Sequence, residues 1–231
     1  AVLAAVGYCF KPYIQALYER DLTMIKNHLS LLKAAKHKTS SRVVERCLCI
    51  LSSLALTFGS DITHIARKTM LPETLFLALD TEIVHMAISC ISDLIVDNFT
   101  LFDGFLGTLL SKLITLFRNH TMVWPNQVNQ TIVHNIVYCF GILALVCRGD
   151  MAAGADTIVP LLIEHLSEHK LTRMEASGLA VSIGQIASQY PEAVSPCLEV
   201  FLKPWCVSMR NTSFIGNENR REQAFMGICT A

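Results

Sequence analysis

His165-Leu-Ser-Glu168-His169 is the segment whose residue types and spacing come nearest to catalysis. Two histidines four residues apart share one face of a helix. With a carboxylate beside them they reproduce the H-x-x-E-H order of inverted zinc proteases. Such a site also needs a third protein ligand and a closed pocket. Here the segment instead ends an apolar helix pattern just before Lys170, where imidazole and ammonium suit the negative end of a helix dipole. A structural role is the expected one, and bound zinc would overturn it. No G-x-x-x-x-G-K-[ST], G-x-S-x-G or G-x-G-x-x-G occurs, so phosphate-cradling loops and the common hydrolase elbow are missing. The nine cysteines are odd in number, include no C-x-x-C pair and fall in apolar runs of helical period. They read as buried, reduced thiols of a cytosolic or nuclear protein. The expectation is a protein that is not an enzyme and needs no cofactor.

The elements that carry these residues follow one rule. Tyr18, Leu22, Ile25, Leu29 and Leu32 draw a single stripe along a helix between Tyr13 and Ala35, closed by Lys33, Lys36, His37 and Lys38. Val43–Phe58, ended by Gly59, forms its partner. Ile62–Leu79, broken at Pro72, and Glu82–Val96 form the next pair. The stripe Leu106, Leu109, Leu110, Leu113 and Phe117 is answered by Thr131–Cys147. Val159, Leu162, Ile163 and Leu166 are answered by Leu179, Ile183 and Ile186, and Val194–Met209 by Arg221–Thr230. Pro160, Pro196 and Pro204 fall in or near the first helices of the pairs, where a proline starts or bends a helix. The connectors Thr121–Gln130 and Thr212–Arg220 are polar and rich in turn residues.

Five small residues, Ser53, Ser92, Gly141, Gly184 and Gly227, mark the second helices at spacings of 39, 49, 43 and 43. A unit of ~40–47 residues built from two helices is that of HEAT and armadillo arrays, with the small residue where neighbouring helices come closest. The fold expected is an all-α solenoid of HEAT repeats, about five helix pairs, over 1–231 as one segment. Function should then lie on an extended surface rather than in a pocket.

Composition agrees. Of 231 residues, 52% are hydrophobic and 16% charged, too apolar for a disordered chain. The 19 basic and 19 acidic side chains cancel, so no overall field favours nucleic acid or anionic lipid. The sequons at Asn98, Asn119, Asn129 and Asn211 matter only after secretion, and Ala1–Phe10 lacks the basic start of a signal peptide. The richest apolar run, Ile132–Cys147, is broken by His134 and Asn135 and is shorter than the ~20 residues of a bilayer span. No membrane insertion is expected. The chain begins and stops inside apolar helix patterns, as a piece of a longer solenoid would.

Phe201-Leu-Lys-Pro-Trp205-Cys-Val-Ser-Met-Arg-Asn211, followed by Ala224-Phe-Met-Gly-Ile-Cys-Thr230, resembles the transportin (karyopherin-β2) family of nuclear import receptors. There a Phe-Ile-Arg-Pro-Trp-Cys helix precedes an Ala-Phe-Arg-Gly-Ile-Cys-Thr helix. Pro12-Tyr13 with Tyr18-Glu-Arg20, Leu51-Ser-Ser-Leu-Ala55 with Gly59, Ser92-Asp-Leu94, and Asn135 through Gly141 align in the same order. The resemblance spans essentially the whole chain and is most specific at its C-terminal end. It implies the C-terminal portion of a receptor that shuttles between cytoplasm and nucleus. Its partners would be cargo proteins with nuclear localisation signals of the proline-tyrosine class, held on the concave face. It further implies nucleoporins, and Ran GTPase bound through N-terminal repeats that this sequence lacks.

The same resemblance implies cargo-binding residues. Asp93 matches a carboxylate that faces basic cargo, and Tyr138 falls where the family has a tryptophan. His134 replaces an asparagine that can pair with a peptide backbone, Asn135 is unchanged, and Val181 stands for an isoleucine. Cys49 and Leu56 occupy positions of family acids and Gly178 that of another asparagine, so cargo preference should lean apolar. Each residue also has a structural alternative: Tyr138 and Val181 as packing, Asp93 as a cap or an internal partner, Trp205 as a wedge between helices. Two other functions remain open: a HEAT scaffold holding folded partners, as in phosphatase or cytoskeletal complexes, and an enzyme using His165 and His169.

Overall fold

The computed structural model describes residues 13, 15–28, 38–58, 71–122, 127–147, 151–167, 171–210 and 218–231, and among these it has helices and turns but no strand. It forms two compact units, Ala1–Phe105 and Leu106–Ala231.

The first unit holds helical residues 15–28 (α1), Lys38–Phe58 (α2), Leu71–Ala78 (α3) and Val84–Asn98 (α4), with a 3-10 turn at Phe99–Phe102. The α1 stripe is as expected where it is described: Tyr18, Leu22 and Ile25 are buried. Leu29, Leu32, the basic residues at 33–37, Gly59 and residues 62–70 lie outside the described residues. Helix α2 starts at Lys38, five residues before Val43, because apolar periodicity marks only the buried face while polar Thr39, Ser40 and Ser41 are tolerated in a first turn. Pro72 is the second residue of α3. Its missing N–H would be unpaired there in any residue, so it opens the helix. Helices α2 and α4 pack side by side.

The second unit alternates two layers. Leu106–Thr121 (α5), Ala152–Leu166 (α7) and Leu198–Arg210 (α9) form one. Gln127–Val146 (α6), Arg173–Gln189 (α8) and Glu218–Thr230 (α10) form the other. A short helix, Pro191–Val194, and a 3-10 turn, Ser195–Cys197, lead into α9. Contacts run α5–α7–α9 along one layer, α6–α8–α10 along the other, and α5–α6, α7–α8 and α8–α9 between them. This is HEAT-type packing, and the fold class is the all-α solenoid that the spacing of small residues predicts.

Those small residues act as expected in the second unit. A Cβ on Gly141 would strike the Gln185 side chain, and one on Gly184 would lie 2.5 Å from the carbonyl oxygen of Ala224. One on Gly227 would collide with the Gly184 carbonyl and lie 2.6 Å from the amide nitrogen of Ser188. Ser92 is buried, with its hydroxyl donating to the Ile88 carbonyl at 2.9 Å. Ser53 departs from the expectation: it is exposed, and its hydroxyl donates to the Cys49 carbonyl of its own helix.

Two more helix starts differ from those the periodicity predicts. Helix α6 begins at Gln127 rather than Thr131, and α10 at Glu218 rather than Arg221, because their first turns are mostly polar and the one apolar residue there, Val128, is exposed and off the buried stripe. The longer α6 contains Val128–Val146, which by length and composition could cross a membrane. Its residues are mostly buried inside the protein, between α5 and α8, as a core helix requires. Pro160 and Pro204 lie inside α7 and α9, each forfeiting one main-chain hydrogen bond. Cys47, Cys90, Cys139 and Cys147 are buried and reduced, whereas Cys49, Cys206 and Cys229 are exposed. Cys9 lies outside the described residues.

Helix α8 opens on a capping box. Thr172 Oγ accepts from the Glu175 amide at 3.3 Å, and Glu175 Oε2 accepts from the Thr172 amide at 2.8 Å. Thr172→Ala should lower stability by about 1 kcal/mol in chemical denaturation, and Thr172→Ser should restore most of it.

Candidate functional site

The zinc-protease spelling does not assemble a site among the described residues. His165 is buried in α7 and meets the Phe117 ring edge-on at 5.5 Å, a packing role. Glu168 and His169 lie outside the described residues. No group of three or more metal-ligating side chains occurs among the described residues.

The five residues expected on the binding face divide between the units. Asp93, in the first, is half-buried on α4; burial raises its carboxyl above the ordinary range and a hydrogen bond from the Ser52 side chain opposes that. It therefore has an internal partner on α2. Cys49 and Leu56, expected where the family carries acids, are both exposed on α2.

The other four are in the second unit. His134, Asn135 and Tyr138 are partly exposed on α6, and Val181 on α8 is 8% exposed, so most of its surface packs. Gly178 lies against the imidazole; its Cβ position is 3.4 Å from His134 Nδ1. The absence of a side chain there leaves room for the ring.

Two further residues complete the strip. The Arg220 guanidinium of α10 lies 4.2 Å over the centre of the Tyr138 ring, and its Nη2 donates to Gln185 Oε1 at 2.8 Å. Gln185 is fully buried in α8, and Gly141 is the residue whose missing side chain admits its amide between α6 and α8. Three second-layer helices are thus tied by one chain of contacts, Tyr138 to Arg220 to Gln185. Burial lowers the Arg220 guanidinium from its usual range and Tyr138 opposes this. Gln185 Nε2, Arg220 Nε and His134 Nδ1 are buried without a hydrogen-bond partner among the described residues.

Neither Gln185 nor Arg220 is among the residues expected from sequence, and the repeat register held the signal. His134, Ser177 and Arg220 each stand seven residues before a marker glycine, at 141, 184 and 227. Tyr138, Val181 and Ala224 each stand three before it. Arg220 is the third-repeat equivalent of His134, two second-layer helices further on. Reading Thr212–Arg220 as a connector hid it.

Burial lowers the His134 pKa below 6.5, the positive charge of Arg220 lowers it further, and Glu175 works in the opposite direction. The folded state therefore prefers neutral imidazole. Stability from this source is full above pH 6.5 and declines as pH falls, because the unfolded chain takes up the proton first. Denaturation midpoints measured from pH 7.5 down to 5 should show less acid sensitivity in His134→Asn than in the native chain. Equal slopes would place the imidazole in solvent.

No protein-family model matches the chain. Curated relatives match it from end to end. Transportin-1 of Mus musculus is 20% identical over 241 residues, covering 100% of this chain and 25% of that protein. Importin subunit beta-2 of Schizosaccharomyces pombe is 22% identical over 239 residues, covering 99% of this chain and 25% of that protein. Along its whole length the chain is similar to transportins. Transportin-1 of Homo sapiens gives the same extent, 20% identity over 239 residues. The chain spans about a quarter of the length of the curated relatives it matches. In the transportin-like C-terminal segment the best marker is structural. Trp205 is buried, donates from Nε1 to the Ala180 carbonyl at 2.7 Å and meets Phe225 edge-on at 5.1 Å.

Proposed function

We propose that the chain is a segment of a nuclear import receptor, binding extended localisation signals along the face built by its second-layer helices. The observation that carries this reading is the end-to-end similarity to transportins at one quarter of their length. The HEAT-type layers support it, since such layers present a continuous side-chain surface rather than a pocket. The cargo class would be the proline-tyrosine signals, the receptor would shuttle between cytoplasm and nucleus, and Ran GTPase and nucleoporins would be its other partners.

Within this reading His134, Asn135 and Tyr138 on α6 offer a polar and aromatic strip to a peptide. Val181 contributes its small exposed edge, and Asp93 a carboxylate for a basic side chain. A receptor chain containing this segment should bind a labelled proline-tyrosine peptide and release it on adding Ran-GTP. Tyr138→Ala and Asp93→Ala should each weaken that peptide by about 1–2 kcal/mol in fluorescence anisotropy. A scaffold for folded partners would show no nucleotide-dependent release and no loss in either variant.

A further inference from the structure

The Arg220 guanidinium already lies on the aromatic face of Tyr138, 4.2 Å from the ring centre, where a cationic side chain of a ligand would otherwise stack. We propose that Arg220 makes this strip select a carboxylate-bearing stretch of an extended peptide, and makes it reject a basic one. The inference rests on the peptide-binding reading above and assigns it a ligand class.

Two observations carry it. First, Arg220 is held in place. Its ring contact and its bond to the buried Gln185 amide fix a guanidinium that would otherwise sample many rotamers, so a ligand pays little of that ordering cost. Second, the cation is only partly exposed and no carboxylate pairs with it among the described residues. A half-buried charge without a counter-ion gains most from an anion that arrives with the ligand, through charge-assisted and, for a carboxylate, two-pronged hydrogen bonds.

The surroundings reinforce the sign. Gln185 Nε2 and Arg220 Nε are buried donors lacking acceptors among the described residues, so the positive, donor-rich character beside the guanidinium is not offset at those two atoms. Glu175 is the acid felt at His134, where it opposes Arg220; it is not bonded to the guanidinium. A lysine or arginine on a ligand would have to displace Arg220 from Tyr138 and then sit beside its charge.

The test uses three fluorescein-labelled 15-residue peptides, alike except for a central Glu-x-Glu, Gln-x-Gln or Lys-x-Lys, titrated onto the native chain by anisotropy at two salt concentrations. The Glu peptide should bind at least tenfold more tightly than the Lys peptide, with the gap narrowing at high salt. Arg220→Gln should bring the Glu and Gln peptides to within about twofold, and Arg220→Glu should reverse the order. Circular dichroism melts confirm that the variants fold, and the comparison among native titrations holds without them. Equal binding of the three, or preference for the Lys peptide by the native chain, overturns the carboxylate assignment while leaving a peptide surface in place. Binding of none of them overturns the peptide surface and the assignment together.

Discussion

Gly227→Ala should destabilise the protein by about 2–3 kcal/mol, even though alanine is the better helix former by up to about 1 kcal/mol. The added Cβ meets only main chain: the Gly184 carbonyl and, at 2.6 Å, the Ser188 amide nitrogen. No flexible side chain stands there to yield, so α8 and α10 must move apart and lose dispersion contacts along their length. Gly184→Ala meets Ala224 Cα and Cβ at 2.6 Å and should cost a similar amount. The two effects should not add, since one separation of the helices relieves both. Gly107→Ala is the control, because nothing lies within 4 Å of its Cβ position; it should be neutral or slightly stabilising in the same urea titrations.

Trp205→Ala should cost about 3–5 kcal/mol. The indole links three helices. It belongs to α9, donates to the Ala180 carbonyl of α8 at 2.7 Å, and packs edge-on against Phe225 of α10. Truncation leaves a cavity in a close-packed layer and removes the donor. Trp205→Phe keeps much of the volume, so its smaller loss isolates the hydrogen bond and the remaining void, about 1–2 kcal/mol. A loss below 1 kcal/mol in the alanine variant would show that the layers do not close around this ring.

What the sequence makes legible is whatever repeats. Periodic apolar stripes place the helices from α4 onward, and the marker glycines locate the contacts α6–α8 and α8–α10. The same logic failed at Ser53, because a small residue at the right spacing also suits an exposed helix face. The helix starts at Lys38, Gln127 and Glu218 lie upstream of the apolar stripes, because mostly polar first turns carry no periodic signal. The site was half legible. Tyr138 and His134 stood out by resemblance, but the residue covering Tyr138 arrives from 82 positions away in sequence. Only a stacked arrangement brings Arg220 over that ring, and only the repeat register, with His134, Ser177 and Arg220 as equivalents, hints at it. The cysteines mixed both cases: those in buried stripes were foreseeable, whereas Cys49 and Cys206 sit on outward faces of otherwise apolar runs.

The peptide-binding face can be located directly by crosslinking. A photoreactive phenylalanine analogue placed at Tyr138 on α6, and in a separate variant at Val200, exposed on α9, reports which layer a labelled proline-tyrosine signal peptide touches. Capture from position 138, competed by unlabelled peptide and absent from position 200, is the predicted result. Capture from position 200 without capture from position 138 would contradict it.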